Sequence, residues 1–259
     1  MKLDNLSKQI LASVSGLHDI PNGAVSIRKN GKSVMMRSTA NIEIEKKADA
    51  SGINIYIKSS CQGEACHIPV VISENGLFDM VYNDFYIEDG ADVVIVAGCG
   101  VHSGDEAGHD GVHSFHIGKN AKVKYIENHI GLGKGSNKIM NPVTKIDMCA
   151  GSVMEMSTTQ IGGVDYSNRS TVAKLKGDAT LNVYEKVLTD RFNVAKTDFK
   201  VTLLDNSKCQ ITSRSVARGE SEQVFKSNVI GKGAVFGHVE CDAILLDDAR
   251  VISCPKLVL

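Results

Sequence analysis

One unit recurs along this chain: a Gly, Asn or Asp turn, a small residue, then alternating apolar positions. It reads EDGADVVIV from Glu88, GKNAKVKYI from Gly118, CAGSVMEMS from Cys149 and KGDATLNVY from Lys176. It returns as DNSKCQITS from Asp205, GKGAVFGHV from Gly231 and DDARVISCP from Asp247, with weaker copies in PNGAVSIRK and between Lys47 and Ile57. The small residues Ala91, Ala121, Ser152, Ala179, Ser207 and Ala234 are spaced 30, 31, 27, 28 and 27 apart. A near-constant period of this length is the signature of a solenoid whose rungs stack to bury one continuous core.

Alternation at period two makes the elements strands. Val93, Ile95, Val123, Tyr125, Val153, Leu181 and Val183 are expected to line the interior, and the turn residues supply positive-φ corners. A strict six-residue apolar repeat, which a left-handed hexapeptide helix needs, is absent. The expected fold is all-β: a right-handed parallel β-helix, round or flattened, with a short N-terminal helix. Leu3, Leu6, Ile10, Leu11 and Val14 follow helical spacing, and that helix is expected to cap the first rung. Residues 1–45 then hold the helix and first strands, and residues 46–259 the β-helix core. The final Lys256-Leu257-Val258-Leu259 reads as a strand in progress, so either it pairs with a second copy or further residues normally follow it.

Composition narrows the function. Twenty-nine basic residues balance 30 acidic ones, leaving a net charge of −1. Without a basic stripe there is no nucleic-acid footprint, and with no Trp and 5% aromatics, stacking platforms for bases or sugars are scarce. No apolar run approaches a membrane span, and the N-terminus carries Lys2, Asp4 and Lys8 rather than a secretory signal. Seven cysteines without regular spacing suit free thiols in a reducing cytoplasm.

The segment Gly237-His238-Val239-Glu240-Cys241-Asp242 gathers a thiol, an imidazole and two carboxylates, donors that suit iron or zinc. In a strand, His238 and Glu240 share one face and Val239 and Cys241 the other, so one strand cannot aim them all at one ion. Cys254, on a following strand, is a further candidate ligand that could approach Cys241. Five of the eight histidines lie between His102 and His129. There the Gly-rich stretch from Gly98 to Gly111 reads as a functional loop leaving the stack. Cys99, between two glycines, is expected to reach solvent. His113 and His116 are three apart and fall on opposite faces, which disfavours a zinc site using both. Cys61-x4-Cys66-His67 is a partial metal knuckle without a second half, and Cys149 and Cys209 read as core. GLGKGSNK lacks the phosphate-loop spacing, so no nucleotide is expected to bind this chain, and no hydrolase elbow is present.

From about Cys61 onward the sequence resembles the SufB/SufD family of iron–sulfur cluster assembly scaffolds, most of all its short SufB-like members. The resemblance rests on YNDFYIEDGADVVIVAGCGVHSG, HDGVHSFHIGKNAKVKYIENHIGLG and NPVTKI. It continues in MEMSTTQIGGVDYSNRSTVAKLKGDA, YEKVLTD, SRSVARGESEQVF and GHVECDAILLDDARVISCP. It implies a right-handed parallel β-helix that forms dimers, a homodimer here, and a SufC-type ABC ATPase partner that drives conformational change. It implies that Cys241 holds the nascent, transient iron–sulfur cluster, that Cys99 accepts sulfur, and that sulfur passes between them through or along the interior. His238, Glu240 and Cys254 are candidate supporting or metal-binding groups. Family members continue with a His-Glu-Ala or Glu-His-Glu strand and a helical ATPase-gripping region that this sequence lacks, so the ATPase contact is expected to be weakened. The chain is thus expected to be a non-enzymatic scaffold. The alternatives are a regulatory subunit of the ATPase without cluster assembly and a β-helix carbohydrate-active enzyme.

Overall fold

A computed structural model describes residues 3–19, 21–134 and 137–259. The chain opens with α1 (Asn5–Ser15), β1 (Ala24–Lys29), β2 (Lys32–Arg37), β3 (Ile42–Lys46) and β4 (Gly52–Ile57). The rungs follow: β5 (Gln62–Ile72), β6 (Phe78–Ile87), β7 (Asp92–His102), β8 (Ala107–Ile117) and β9 (Lys122–Leu132). Next come β10 (Lys138–Met140), β11 (Val143–Met148), β12 (Val153–Gln160), β13 (Tyr166–Leu175) and β14 (Thr180–Thr189). The last are β15 (Val194–Leu204), β16 (Lys208–Ala217), β17 (Glu222–Lys232), β18 (Phe236–Leu245) and β19 (Arg250–Val258).

From β4 onward the strands alternate between two facing sheets, except that β10 and β11 both lie in the second. Sheet A runs β2-β1-β5-β7-β9-β12-β14-β16-β18, and sheet B runs β3-β4-β6-β8-β10-β13-β15-β17-β19, with β11 between β8 and β13. The result is a flattened parallel β-solenoid of about seven turns. Turn chemistry explains the corners: Asn120 at φ 56°, Asp178 at φ 55° and Asn206 at φ 65° take the left-handed conformation that Asn and Asp tolerate.

The expected interior positions are buried at Val93, Ile95, Val123, Tyr125, Leu181 and Val183. Val153 is the exception. It faces outward while Met154 is fully buried, because Ser152 takes the inward corner that Ala121 holds one rung earlier. In the last repeat Val235, not Ala234, occupies the corner equivalent to Ser207, since Lys208 pairs with Phe236.

The first rung is not capped by α1. Antiparallel pairing closes it instead, β2 on β1 and β3 on β4. Asp4 caps α1 by accepting from the Ser7 amide at 2.8 Å, and Gly16 ends it at φ 65°. The helix lies on the outer face of sheet A, across β5, β7 and β9. Glycines make that seat: a Cβ on Gly100 would stand 2.2 Å from Ile10 Cγ2, and one on Gly98 2.7 Å from the Val14 carbonyl. Ile10, Leu11 and Val14 pack there with Val25, Ile27 and Val71.

Candidate functional site

Inside the stack, one long edge is apolar, carrying Phe85, Phe115, Tyr125, Ile95 and Met156. Phe85 and Phe115 stack with ring centroids 4.4 Å apart. The middle of the interior is polar. In sheet A an inward column runs in register from Ala97 through Glu127, Thr158, Glu185 and Ser213 to Cys241. The adjoining column runs Cys99, His129, Gln160, Val187, Ser215, Ala243. Cys241 thus ends a polar column on β18, and Cys99 begins its neighbour on β7.

Arg169, facing across from β13, ties this column together. Its Nη1 donates to Glu127 Oε2 at 2.5 Å, and its Nε stands 3.9 Å from Glu185 Oε1. Thr197 and Ser213 donate their hydroxyls to the two oxygens of Glu185, each at 2.9 Å. His129 Nε2 lies 3.3 Å from Glu127 Oε1. Burial alone would raise the Glu127 pKa, but Arg169 and then His129 hold it well below the ordinary carboxylate value. At Glu185 burial prevails over Arg169, and the pKa is raised. The two carboxylates therefore differ although one guanidinium serves both. Among the described residues Thr158 Oγ1, Gln160 Nε2, Thr171 Oγ1 and His129 Nδ1 are buried without a protein partner. Such inward-facing donors and acceptors suit a small polar guest.

A second polar cluster lies toward the N-terminal rungs. Arg28 binds both oxygens of Asp79 at 2.7 Å, and His109 Nδ1 is 3.4 Å from Asp79 Oδ2. His113 contacts the Tyr125 hydroxyl at 2.7 Å and the Asn83 amide at 3.2 Å. Burial pushes the His113 pKa down to about 4.

Cys99 does not reach solvent. It is 2% exposed, packed with Val70, Ile72, Val101, Ala107, Met140 and Val164. Burial, then Asp79 and Glu127, drives its thiol pKa well above the ordinary value. The loop expected from Gly98 to Gly111 is mostly strand, since β7 extends to His102 and β8 begins at Ala107. The glycines there seat α1 and let strands approach rather than mark irregular chain.

Cys241 is half-buried and packs against the apolar core. Burial raises its thiol pKa, partly offset by side-chain hydrogen bonds from Ser253 and Ser213. As the alternation implied, His238 and Glu240 lie on the opposite, outer face. There Glu240 and Asp242 bind Arg214 at 3.0 and 2.8 Å, and His238 Nε2 is 4.0 Å from Glu240. Cys254 is not brought to Cys241. It is exposed and pairs with outward Lys226, while its neighbour Ser253 reaches the sulfur.

Cys209 is core as expected, but Cys149 is half-buried at a corner beside Tyr86 and His116. Cys61 and Cys66 are buried in the apolar core. His113 and His116 do fall on opposite faces, one buried and one exposed. Among the described residues no group of three or more His, Cys, Asp or Glu is placed to hold a metal ion.

Glu127, Arg169 and Glu185 were missed from the sequence, yet strand parity marks them. Glu127 has the parity of Val123 and Tyr125, and Glu185 that of Leu181 and Val183. A carboxylate on an inward parity is the informative exception in a solenoid.

Residues 70–259 match the family model described as SUF system FeS cluster assembly, SufBD core domain. This chain belongs to the SufBD family. Two archaeal relatives carry the name iron-sulfur cluster assembly SufBD family protein. The one from Archaeoglobus fulgidus is 25% identical over 224 residues, covering 83% of this chain and 59% of the relative. The one from Methanocaldococcus jannaschii is 25% identical over 198 residues, covering 74% of this chain and 61% of the relative. A chloroplastic SufBD family protein of Arabidopsis thaliana is 30% identical over 173 residues, covering 62% of this chain and 31% of the relative. The chain thus spans about three-fifths of the length of the archaeal relatives it matches. Membership supports a role in Fe–S cluster assembly. No helix among the described residues is long and apolar enough to cross a membrane.

Proposed function

We propose that this SufBD protein is an assembly scaffold on which Cys241 holds a nascent iron–sulfur cluster, the cluster being cargo rather than a resident group. The observation that supports this reading most is the buried polar column that ends at Cys241 and adjoins the column begun by Cys99. Cys99 receives sulfur, and the column of Glu127, Thr158, Glu185 and Ser213 gives a small sulfur species a polar route along the axis. Five rung spacings separate β7 from β18, about 24 Å at the usual strand separation. Direct exchange needs one sulfur to attack the other, so at that distance a mobile carrier is required. Hydrosulfide attacks the outer sulfur of a Cys99 persulfide, frees the Cys99 thiolate and leaves as hydrodisulfide. From this the Cys241 thiolate takes one sulfur and releases hydrosulfide.

The burial of Cys99 fits a closed state. Loading requires the rung to open, a task for the SufC-type ATPase partner, whose ATP hydrolysis would supply the work. This chain itself acts as scaffold rather than enzyme.

A cluster needs more ligands than one thiolate, and Cys241 is the inward thiol of the last rung. The remaining ligands come from a second copy in a homodimer.

The test is anaerobic reconstitution with iron and sulfide, read by absorption and Mössbauer spectra. Wild type is expected to acquire cluster signals that Cys241→Ala loses and that Cys99→Ala retains when free sulfide bypasses sulfur entry. Equal spectra for wild type and Cys241→Ala would move the site elsewhere.

A further inference from the structure

The outer face of sheet A carries one apolar column from β5 to β18, and α1 covers only its beginning. Val71, Gly100 and Ile130 are in register under the helix. The same line continues through Ile161, Leu188, Val216 and Ile244, the last three again in register. Ile161 extends it because its amide bonds the His129 carbonyl directly before Ile130. These four residues line a groove of about 480 Å³. Ile161 is 41% exposed and Ile244 61%.

The flanking column changes character where the helix stops. Under α1 it holds Gly98 and Asn128, whose amide donates to the Val14 carbonyl at 2.9 Å. Beyond it come Thr159, Lys186, Arg214 and Asp242. An element seated on the open half therefore meets an apolar floor and two basic side chains, one of them, Arg214, already paired to Glu240 and Asp242.

We infer that the open half of this column is a docking groove for an amphipathic helix of a partner protein, in line with α1 and bearing an acidic residue on the flank facing Lys186. The groove's continuity with the α1 seat fixes the kind of element: the same column accepts a helix three rungs earlier. The dimensions agree. Four rungs span about 14 Å, the length of a helix of about 10 residues, close to that of α1 itself. Helix-in-groove docking of this kind uses apolar anchors at i, i+3, i+4 and i+7. The inference is independent of the cluster chemistry at Cys241.

The experiment is fluorescence anisotropy on the full chain with a synthetic helical peptide carrying Leu at i, i+3, i+4 and i+7 and Glu on one flank. Controls are a scrambled peptide and one with Lys on that flank. Saturable binding is expected, weakened at least tenfold by Ile161→Asp and by Lys186→Glu, two exposed positions whose variants keep the β circular-dichroism spectrum. Lys186→Glu is expected to gain affinity for the Lys-flanked peptide. Equal binding of the scrambled peptide, no saturation, or indifference to both substitutions would overturn the proposal. So would a dimer that sedimentation shows to dissociate on Ile161→Asp, because the groove would then belong to a second copy.

Discussion

Cys99 and Cys241 sit on the inner face of the same sheet, five rungs apart, in opposite circumstances. Cys99 is enclosed by aliphatic side chains beneath the strand that α1 covers, and its thiol is held protonated. Cys241 lies on the last rung, half-buried, with two hydroxyls on its sulfur. Both face inward from the same sheet, in adjoining columns two residues apart in register, so their place along the stack and not their facing sets them apart. Between them the interior is neither oil nor solvent: one guanidinium bridges two carboxylates, two hydroxyls complete Glu185, and further buried polar atoms stand without a protein partner.

The largest expected effect comes from breaking that bridge. Arg169→Met leaves Glu127 and Glu185 buried without their cation, a loss of about 3–5 kcal/mol for a broken buried pair. Urea denaturation checks it, and adding Glu185→Gln should recover part of the loss. A variant as stable as wild type would show that the column is already open to water.

The next effect separates the polar interior from the apolar edge by pH. His113 is buried neutral with a folded pKa of about 4, below its unfolded value. Between roughly pH 6.5 and 4 the unfolded chain binds the extra proton, so stability falls as pH falls through that window. The full contribution is on the order of 3 kcal/mol. Denaturation midpoints of wild type and His113→Gln, measured from pH 7 to 4, should converge toward low pH. Parallel curves would place the pH dependence elsewhere, with His129 the next residue to test.

The smallest effect compares the cysteines directly. Under native conditions iodoacetamide should label Cys241 at least tenfold faster than Cys99, by peptide mass spectrometry. Equal rates would mean that the rung holding Cys99 opens freely without a partner.

Much of the fold is legible in the repeat, because a turn, a small corner residue and period-two alternation leave little choice of architecture. Register was harder to read. Val153 and Ala234 each follow the motif by eye but miss its phase by one residue, and only hydrogen-bond pairing reveals that. The opposite facings of Cys241 and Glu240 follow from strand parity alone. The meeting of the polar residues does not, since Glu127, Arg169 and Glu185 lie some 16 to 58 residues apart in sequence and come together only after rungs stack. The glycines around Cys99 misled for a physical reason: residues that mark a loop in isolation here make room for a helix and for neighbouring strands.

The most direct test of the central claim follows sulfur itself. With the SufC-type ATPase and ATP present to open the rung, inorganic polysulfide labelled with heavy sulfur is offered briefly to load Cys99. Excess is removed, unlabelled hydrosulfide is added as the carrier, and peptide mass spectrometry tracks the label. The double variant Thr158→Val, Ser213→Ala keeps the column's shape but removes its hydroxyls. Label arriving at Cys241 in wild type and remaining at Cys99 in the variant is the predicted result. Equal arrival in both would contradict a route through the interior.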